Sequence, residues 1–294
     1  MSACSDGILL LDKPAGISSN AALQRAKRIM GVRKAGHTGT LDPFATGLLI
    51  LLFGQATKVS DYLLNADKRY RATLQLGQET NTGDREGEVV ASGSVDFDQT
   101  QLDVALSRFR GRISQIPPMF SAIKRDGQPL YRLARKGVEI EREARSVEIY
   151  SLDLLSWAGE ELVLDIHCSK GTYVRSLAQD LGRLLGCGAH IRELRRLSSG
   201  SFSIDAAYDL DRLAAAREAD QCPLQAMDLA LQDLPAVTLT ENTAYYVRQG
   251  QGVVIAHAPA PGRIRLYGPQ AQFLGLGEVM EDGKVAPRRL MGVN

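Results

Sequence analysis

The amino-acid sequence predicts an α+β protein with a large first domain and a small second one. Amphipathic helical segments and strand-like segments follow one another in a mixed order, without the regular strand–helix alternation of a doubly wound sheet. The 294 residues are enough for one large domain, or for a large domain and a small one. A change in composition near Pro235 favours two domains, with bounds at 1–234 and 235–294.

The bulk composition is that of an ordinary soluble globular protein. Hydrophobic residues make up 44% of the chain and charged residues 23%, which leaves disordered, collagen-like and coiled-coil classes without support. The formal net charge is only +1, so any affinity for a polyanion has to come from local clusters of Lys and Arg.

No segment of the sequence predicts a secreted or membrane protein. The apolar run 8–11 is followed at once by Asp12 and Lys13, which is not a signal-peptide pattern. The longest apolar run, 48–53, is far short of the roughly 20 residues that cross a bilayer. The four cysteines are scattered and form no CxxC pair. We therefore expect a cytoplasmic protein with reduced thiols and no membrane contact.

The chain opens with a strand, a turn and a helix. A short buried strand is predicted over 8–11, and it ends at the turn 13–16, whose proline and glycine interrupt a strand. Ser18 or Ser19 can cap the following helix, and Gly31 stands where a C-terminal glycine cap is expected. The apolar positions of this helix recur at three-to-four spacing: Ala22, Leu23, Ala26, Ile29 and Met30.

A glycine-rich loop over 36–43 leads into the apolar run 47–53, which predicts a buried central strand. This order places Asp42 on a loop beside the core. The next elements are a helix over 56–66 and a half-buried strand over 69–76, in which apolar and polar residues alternate. The apolar face of that strand carries Tyr70, Ala72, Leu74 and Leu76.

Further elements continue the mixed order. The periodicity predicts strands around 88–91, 147–154 and 162–168. It predicts helices near 100–109, 172–185 and 209–219. Beyond Pro235, short strand-like segments separated by Gly and Pro predict a small all-β domain, with strands at 253–256, 263–267 and 273–280.

Asp42 is the residue best placed for chemistry, because a glycine-rich turn and a proline hold its carboxylate at a fixed point on a tight loop. On spacing alone, an Asp before Pro is more often a turn residue or a helix cap. The loop lacks the Gly-Lys-Ser/Thr ending of a Walker phosphate loop and the GxGxxG arrangement of a dinucleotide site. Nucleoside triphosphate chemistry is therefore disfavoured.

Five sequence motifs resemble those of the tRNA pseudouridine synthase B family and occur in the family's order. They cover most of residues 7–200, and a set of five is far more specific than any one of them. The chain does not depart from the family pattern at the positions that matter. The motifs are LLDKPAG (10–16), GHTGTLDPFATG (36–47), DKRY (67–70), CSKGTYVR (168–175) and CGAHIRELRRL (187–197).

The resemblance implies a pseudouridine synthase fold, in which helices flank a mixed, largely antiparallel sheet. It also implies a basic RNA-binding insertion at about 112–146 and a small C-terminal RNA-binding β-barrel of the PUA-like kind. The implied activity is isomerisation of uridine to pseudouridine at position 55, in the T-loop of tRNA, after the nucleotide is flipped out of its stack. The reaction moves the base from N1 to C5 on ribose C1′, so no cofactor and no metal are expected. The implied partner is the tRNA T-stem-loop, with no obligate protein partner and a monomer as the default.

The resemblance assigns the central roles to three residues. Asp42 is the nucleophile, and the sequence leaves open whether it attacks C1′, acts at the uracil ring or assists elimination to a glycal. Arg175 is the cation that keeps Asp42 ionised in an enclosed pocket; without the family it is an exposed arginine near a helix start. Leu194 is a wall of the uracil pocket, and otherwise a core residue.

Further roles carry alternatives of their own. Tyr70 stacks on the target base and is a candidate for removing the C5 proton, or it is a core aromatic with one hydrogen-bond partner. Tyr173 is a base contact or a packing residue at a helix start. His37 contacts RNA where the flipped nucleotide leaves its stack, and by itself is equally compatible with a surface His, a general base or a metal ligand. Lys13 and Pro14 are expected to buttress the catalytic loop.

A zinc site is the competing interpretation for His167, Cys168, Cys187 and His190. Structural zinc sites normally show two close-spaced ligand pairs, whereas an adjacent His-Cys pair on a strand points to opposite faces. A metal site is therefore disfavoured.

Two basic stretches are candidates for phosphate contacts, although either can be a solvated helix face. The second stretch is interrupted by the acid of an Asp126-Gly127 turn, which suggests a mobile hairpin that closes on a stem-loop. The first stretch holds Arg25, Lys27, Arg28, Arg33 and Lys34. The second holds Lys124, Arg125, Arg132, Arg135 and Lys136, with Phe120 and Tyr131 nearby, and the C-terminal domain adds Lys284, Arg288 and Arg289.

Two other functions remain open at this point. One is a non-catalytic RNA-binding or RNA-folding protein, a tRNA chaperone that uses the same cleft. The other is an enzyme that acts on ribosomal or spliceosomal RNA with guide partners, which the compact chain without long basic tails disfavours.

Overall fold

The computed structural model describes residues 4–121, 123–125, 127–134 and 137–292. Helices and strands follow one another in a mixed order in these residues, so the predicted α+β class is confirmed. The α-helices are α1 (Ser19–Met30), α2 (Ser60–Leu64), α3 (Gln99–Ser107), α4 (Leu130–Ala134), α5 (Val174–Leu184), α6 (Leu210–Glu218) and α7 (Glu241–Arg248). Short 3-10 helices lie at Gly54–Val59, Ile204–Ala206 and Met227–Leu231.

Eighteen strands occur in the described residues. The first nine are β1 (Gly7–Lys13), β2 (Ala35–Thr38), β3 (Thr46–Phe53), β4 (Lys68–Leu76), β5 (Gln78–Thr80), β6 (Val89–Ser92), β7 (Gly111–Gln115), β8 (Lys124–Arg125) and β9 (Gln128–Pro129). The others are β10 (Arg145–Ala158), β11 (Glu161–Cys168), β12 (Ala189–Ser199), β13 (Phe202–Ser203), β14 (Ala236–Thr238), β15 (Val253–Val254), β16 (Gly262–Tyr267), β17 (Phe273–Val279) and β18 (Lys284–Leu290).

Nine of these strands form one sheet, which carries the main core. Its order is β1, β3, β12, β4, β11, β10 and β7, with β2 also paired to β3 and β13 to β12. The described strand pairs of this sheet are antiparallel, except that β12 and β3 are parallel where Arg195 faces Thr46. The predicted mixed, largely antiparallel sheet is confirmed.

The apolar run of β3 is buried because both faces of the sheet are covered at this point. Leu49 and Leu51 pack in a cluster with residues of α1, whereas Leu48 and Ile50 pack in a second cluster on the other face. A strand that is covered on both faces has apolar residues at successive positions, which is the pattern from which the sequence predicts a buried strand. The strand lies beside the terminal strand β1, however, and not at the centre of the sheet.

Helix α1 begins and ends as the sequence predicts. Ser18 is the N-cap, and its Oγ accepts a hydrogen bond of 3.1 Å from Ala21 N. Gly31 is the C-cap, with a left-handed φ of 66° that glycine adopts without strain. At 12 residues α1 is the longest of the described helices, and none of them is long and apolar enough to cross a membrane.

Strand β12 is the main element that the sequence analysis does not predict. Its charged residues hide the strand pattern, but in the structure β12 is paired on both sides, by β3 and β4. Two of its charged side chains find partners two strands away in the sheet: Arg192 pairs with Glu161 of β11, and Arg195 pairs with Asp12 of β1. Tertiary pairing, and not local pattern, therefore creates this strand.

The C-terminal residues form a second sheet, with the order β14, β16, β17, β18, β15. This sheet is a curled half-barrel. The expectation of an all-β segment is wrong, because α7 packs Ala244 and Val247 against the strands. The sheet is attached to the 3-10 helix Gly54–Val59: Lys58 Nζ donates to the Leu290 carbonyl at 2.7 Å, and Arg289 Nη1 donates to the Lys58 carbonyl at 2.7 Å. The division at 234/235 stays a prediction.

The expectation that all cysteines are reduced thiols is wrong for two of them. Cys4 and Cys222 form a disulfide across a sequence separation of 218 residues. The long separation explains why no spacing in the sequence indicated the bond. Cys168 and Cys187 are free and buried.

Candidate active site

The start of α1 holds the Asp42 loop in place. Ser19 is buried, and its hydroxyl both accepts from Leu41 N at 2.8 Å and donates to the Leu41 carbonyl at 3.0 Å. Asp42 itself closes a tight turn, because its carbonyl accepts from Ala45 N at 3.1 Å. The residue before the carboxylate is therefore fixed by two hydrogen bonds to a helix.

Lys13 and the turn after β1 hold the other side of the loop. The Lys13 side chain is fully buried, and its Nζ donates to the carbonyls of Pro14 and Ile17, each at 2.8 Å, and to that of Pro43 at 3.2 Å. Gly16 N also donates to the Pro43 carbonyl, at 2.9 Å. Burial lowers the pKa of Lys13 to about 8, and the Asp42 charge opposes this change. These contacts agree with the expectation that Lys13 and Pro14 support the catalytic loop.

Asp42 and Arg175 form a bidentate ion pair. Arg175 Nε lies 3.0 Å from Asp42 Oδ2, and Nη2 donates to Oδ1 at 3.2 Å. The Arg175 side chain is only 5% exposed, whereas one third of the Asp42 side chain, 33%, remains open to solvent. The carboxylate is thus held rigidly while one side of it can still meet a substrate.

The remaining donors of Arg175 are satisfied by two loops. Nη1 lies 3.6 Å from Asp84 Oδ2 and donates to the Thr82 carbonyl at 3.1 Å. Nη2 donates to the Phe120 carbonyl at 2.6 Å. Asp84 is buried and is itself fixed, since the Thr82 hydroxyl donates to its Oδ1 at 2.7 Å. The guanidinium has little freedom to turn away from Asp42.

Asp84 is a site residue that the sequence analysis misses. It lies in the polar, glycine-containing turn between β5 and β6. A carboxylate in such a turn is the sequence feature that could have indicated a site residue. Its carboxylate shares Arg175 with Asp42. Burial raises the pKa of the Asp42 carboxyl, Asp84 raises it further, and the positive charge of Arg175 opposes both.

Tyr70 and Leu194 belong to the cluster that lines the Asp42 side of the sheet. Tyr70 lies on β4, and Leu194 on β12 pairs in register with Ala72, two residues further along β4. Leu194 is 8% exposed and shares one hydrophobic cluster with Leu41 and Tyr70. Burial raises the pKa of the Tyr70 hydroxyl, on which the Asp42 charge also acts. Through this cluster Tyr70 lies on the same side of the sheet as Leu41, the neighbour of Asp42.

Tyr173 is the N-cap residue of α5, two positions before Arg175. Its side chain makes no capping hydrogen bond, and its backbone is held instead by the amide of the buried Gln115. Burial raises the pKa of the Tyr173 hydroxyl, and a hydrogen bond with Ser121 opposes this rise. As the N-cap of the helix that carries Arg175, Tyr173 lies on the Arg175 side of the site.

His37 lies on β2, opposite Leu51 of β3. Its Nδ1 is buried without a hydrogen-bond partner among the described residues. Burial and the positive charge of Arg196 lower the pKa of His37, so the imidazole is neutral. The described contacts do not join His37 to Asp42, and the structure thus brings together five of the six predicted site residues.

The four candidate zinc ligands do not converge. In the described part of the chain, no three His, Cys, Asp or Glu side chains are arranged to hold a metal ion. Cys168 Sγ points to the Lys68 carbonyl at 3.7 Å, and His190 Nδ1 is 3.0 Å from the Gln78 carbonyl. Cys168 and His190 thus each have a local backbone partner.

The first basic stretch, in α1 and the segment between α1 and β2, presents its charges to solvent. Arg25, Arg28, Arg33 and Lys34 are exposed and Lys27 is half-buried. Within the described residues, none of the five forms an ion pair. The surface that leads into the catalytic loop is therefore positive despite the small net charge.

The second basic stretch is described only in part. Strands β8 and β9 form a two-stranded hairpin, followed at once by α4. Asp126, Arg135 and Lys136 lie outside the described residues, as do the side chains of Lys124, Arg125 and Tyr131. The mobility of this hairpin stays a prediction.

Three family models match the chain. The one described as "TruB family pseudouridylate synthase (N terminal domain)" matches 27–174. "tRNA pseudouridylate synthase B C-terminal domain" matches 175–236, and "Pseudouridine synthase II TruB, C-terminal" matches 235–291. The three matches follow one another along almost the whole chain.

Curated relatives match over a similar length. The tRNA pseudouridine synthase B of Tolumonas auensis is 52% identical over 299 residues, which cover 98% of this chain and 92% of that protein. The protein of the same name from Ectopseudomonas mendocina is 52% identical, covering 97% of this chain and 95% of its own length. That of Yersinia pestis is 48% identical over 97% of this chain and 92% of that protein.

Solved structures share the fold. A Cbf5-Nop10-Gar1 complex contains a chain with a TM-score of 0.74 and 26% identity, covering 99% of this chain and 85% of that chain. An H/ACA RNP bound to a substrate RNA containing 2′-deoxyuridine gives a TM-score of 0.72 at 25% identity, covering 98% and 84%. Because the family models and the close relatives both span nearly all of its length, this chain belongs to the TruB family of pseudouridylate synthases.

Proposed function

We propose that this protein converts uridine to pseudouridine in the T-loop of tRNA, at position 55, with Asp42 as the nucleophile. The observation that carries this proposal is the ion pair of Asp42 with Arg175. It holds one carboxylate in a fixed place, opposes the rise of its pKa on burial and leaves one side of it open.

The reaction requires the C1′–N1 bond to break, the uracil to turn and a C1′–C5 bond to form. Asp42 supplies the negative charge that attacks C1′ or assists elimination toward a glycal. Leu194 and Tyr70 bound the space in which the uracil turns, and Tyr173 contacts the base from the α5 side. In the last step, the proton leaves C5 for the ionised oxygen of Tyr70. Burial of these groups excludes water from the released base.

The target nucleotide reaches this site by leaving the stack of the T-loop, and His37 occupies the space near the flipped position. The unpaired cations of α1 contact the phosphates, since they lie directly before β2 and the catalytic loop. The hairpin of β8 and β9 and the C-terminal half-barrel extend this surface. We further propose that the protein acts in the cytoplasm as a monomer, without a cofactor, a metal or an obligate protein partner.

A single-turnover assay on a synthetic T-stem-loop RNA, without added cofactor, tests this function. The wild-type protein converts the loop uridine, whereas Asp42→Asn reduces conversion below detection and leaves the Kd for the RNA within about threefold, because the phosphate contacts remain. Asp96→Asn, which changes an exposed Asp outside the site, is the matched control and retains full activity.

The outcomes also separate the rival functions. If wild-type protein and Asp42→Asn both bind the RNA and neither converts it, the RNA-folding function replaces the enzymatic one. If Asp42→Asn loses binding together with turnover, the division between a chemical role for Asp42 and a binding role for the basic surface is wrong. Activity that disappears with EDTA, on RNA that stays folded, overturns the metal-free reaction.

A further inference from the structure

Among the arginines whose side chains the structure describes, Arg196 is the most deeply buried, and it has no assigned role in the reaction. It is 1% exposed, and its guanidinium donates to two backbone carbonyls: Nε to Leu48 at 2.7 Å and Nη2 to Gly39 at 2.9 Å. The ion pairs of the described residues include none with Arg196. A buried cation without a carboxylate costs several kcal/mol on the usual scale, so its retention is not explained by stability.

The two carbonyls that Arg196 binds lie on either side of Asp42. Gly39 comes three residues before it, with a left-handed φ of 72°, and Leu48 follows the end of the loop on β3. Gly47 packs directly against the Arg196 backbone, because a Cβ at this position would lie 2.3 Å from the Arg196 carbonyl oxygen. Arg196 therefore fixes both ends of the segment that presents the nucleophile.

Arg196 also lies beside Tyr70. The two residues are directly opposite each other in the β12–β4 register, so their side chains share one face of the sheet. The charge of Arg196 accordingly opposes the effect of burial on the pKa of Tyr70. Arg195, its neighbour, points away and binds Asp12 through two hydrogen bonds of 3.0 and 2.6 Å.

We propose that Arg196 is a positioning residue for the reaction: it orients the Tyr70 hydroxyl toward the uracil and stabilises its ionised form, while it anchors the Asp42 loop. This inference rests on the proposed function. When C5 is bonded to C1′, its C5–H bond breaks and the proton goes to the ionised Tyr70 oxygen. The C5–H electron pair forms the C5–C6 double bond, and the π pair of the C6–N1 double bond goes to N1. N1 then takes a proton from water, and the hydroxide that this leaves takes the proton from the Tyr70 hydroxyl, so no net proton is gained or lost.

The experiment is an NMR titration of protein labelled with tyrosine carrying 13C at Cζ, whose shift reports ionisation of the phenol. The Tyr70 signal is assigned by its absence in Tyr70→Phe. We expect Tyr70 to ionise about 1 pH unit or more higher in Arg196→Met than in wild type, and at an unchanged pH in the matched control Arg195→Met. Equal ionisation in wild type and in Arg196→Met overturns the proposal.

A second measurement covers the case in which Arg196→Met does not fold. Arg196→Lys keeps the charge but does not reach both carbonyls and the phenol, and we expect it to slow single-turnover conversion about tenfold or more in the wild-type background. In the Tyr70→Phe background the same change has an effect of less than about twofold on the remaining rate. Equal slowing in both backgrounds means that Arg196 acts through structure alone. Wild-type protein that fails to convert the RNA overturns the proposed function instead, while the titration of Tyr70 still decides the role of Arg196.

Discussion

The amide of Gln115 pairs with the backbone of Tyr173 as a strand would: Tyr173 N donates to Oε1 at 3.0 Å, and Nε2 donates to the Tyr173 carbonyl at 3.3 Å. Gln115 is 2% exposed and is the last residue of β7, where the predicted insertion begins. Its neighbour Ile116 accepts from the Ser176 hydroxyl at 3.1 Å. The entrance to the insertion is thus hydrogen-bonded to the first turn of the helix that carries Arg175.

We expect Gln115→Met to slow single-turnover conversion about tenfold, because the start of α5 loses two buried hydrogen bonds of about 1 kcal/mol each and Arg175 is held less firmly. The Kd for the T-stem-loop changes little, since the substitution removes no charge. Gln99→Met, at an exposed position of α3, is the control. A rate equal to that of wild type means that Gln115 is a structural residue without influence on Arg175.

The pH dependence of the rate reports the Asp42–Arg175 pair. Burial raises the pKa of Asp42 and Arg175 opposes the rise, so Arg175→Met moves this pKa still higher. The reaction needs the ionised carboxylate, which is protonated as the pH falls through the pKa. Single-turnover rates between pH 5 and 8 therefore decline at a higher pH in Arg175→Met than in wild type. If the rate of this variant declines at the same pH as the rate of wild type, protonation of Asp42 is not the cause of the decline.

The disulfide contributes to stability and not to catalysis. Cys222 is exposed, so a reductant reaches the bond, and neither cysteine contacts the site. We expect reduction to lower the free energy of unfolding by about 2–4 kcal/mol and the melting temperature with it, while activity at 25 °C persists. In Cys4→Ser the melting temperature is already lowered and no longer responds to the reductant. A wild-type protein purified with four titratable thiols contradicts this prediction.

The cations of α1 and of the segment between α1 and β2 are expected to bind RNA through phosphates alone. The double variant Arg28→Gln, Arg33→Gln should weaken T-stem-loop binding at low salt and reduce the slope of log K against log salt by about 2, one for each phosphate that the variant no longer neutralises. Arg192→Gln is the control, because that arginine is already neutralised by Glu161. An unchanged salt slope in the double variant places the RNA on another surface.

The sequence alone determined the local elements and the chemical inventory. Some elements follow from residue types whose preferred conformation depends only on nearby residues. These elements are the caps of α1, the buried apolar run of β3 and the alternating pattern of β4. The glycine-rich loop identified Asp42 for the same reason. The family motifs then fixed the set of residues around it.

Only the tertiary structure decided which side chains meet. Strand β12 forms because β3 and β4 pair with it, so its charged residues carry no local signal of a strand. Asp84 reaches Arg175 across 91 positions of chain, and Cys4 reaches Cys222 across 218, distances at which sequence spacing carries no geometric information. Arg196 is indistinguishable from Arg195 in the sequence, yet Arg196 is buried opposite Tyr70, whereas Arg195 binds Asp12 and stays partly exposed. Neighbouring side chains on a strand point to opposite faces of the sheet, and the packing of the other elements determines which groups each side chain contacts.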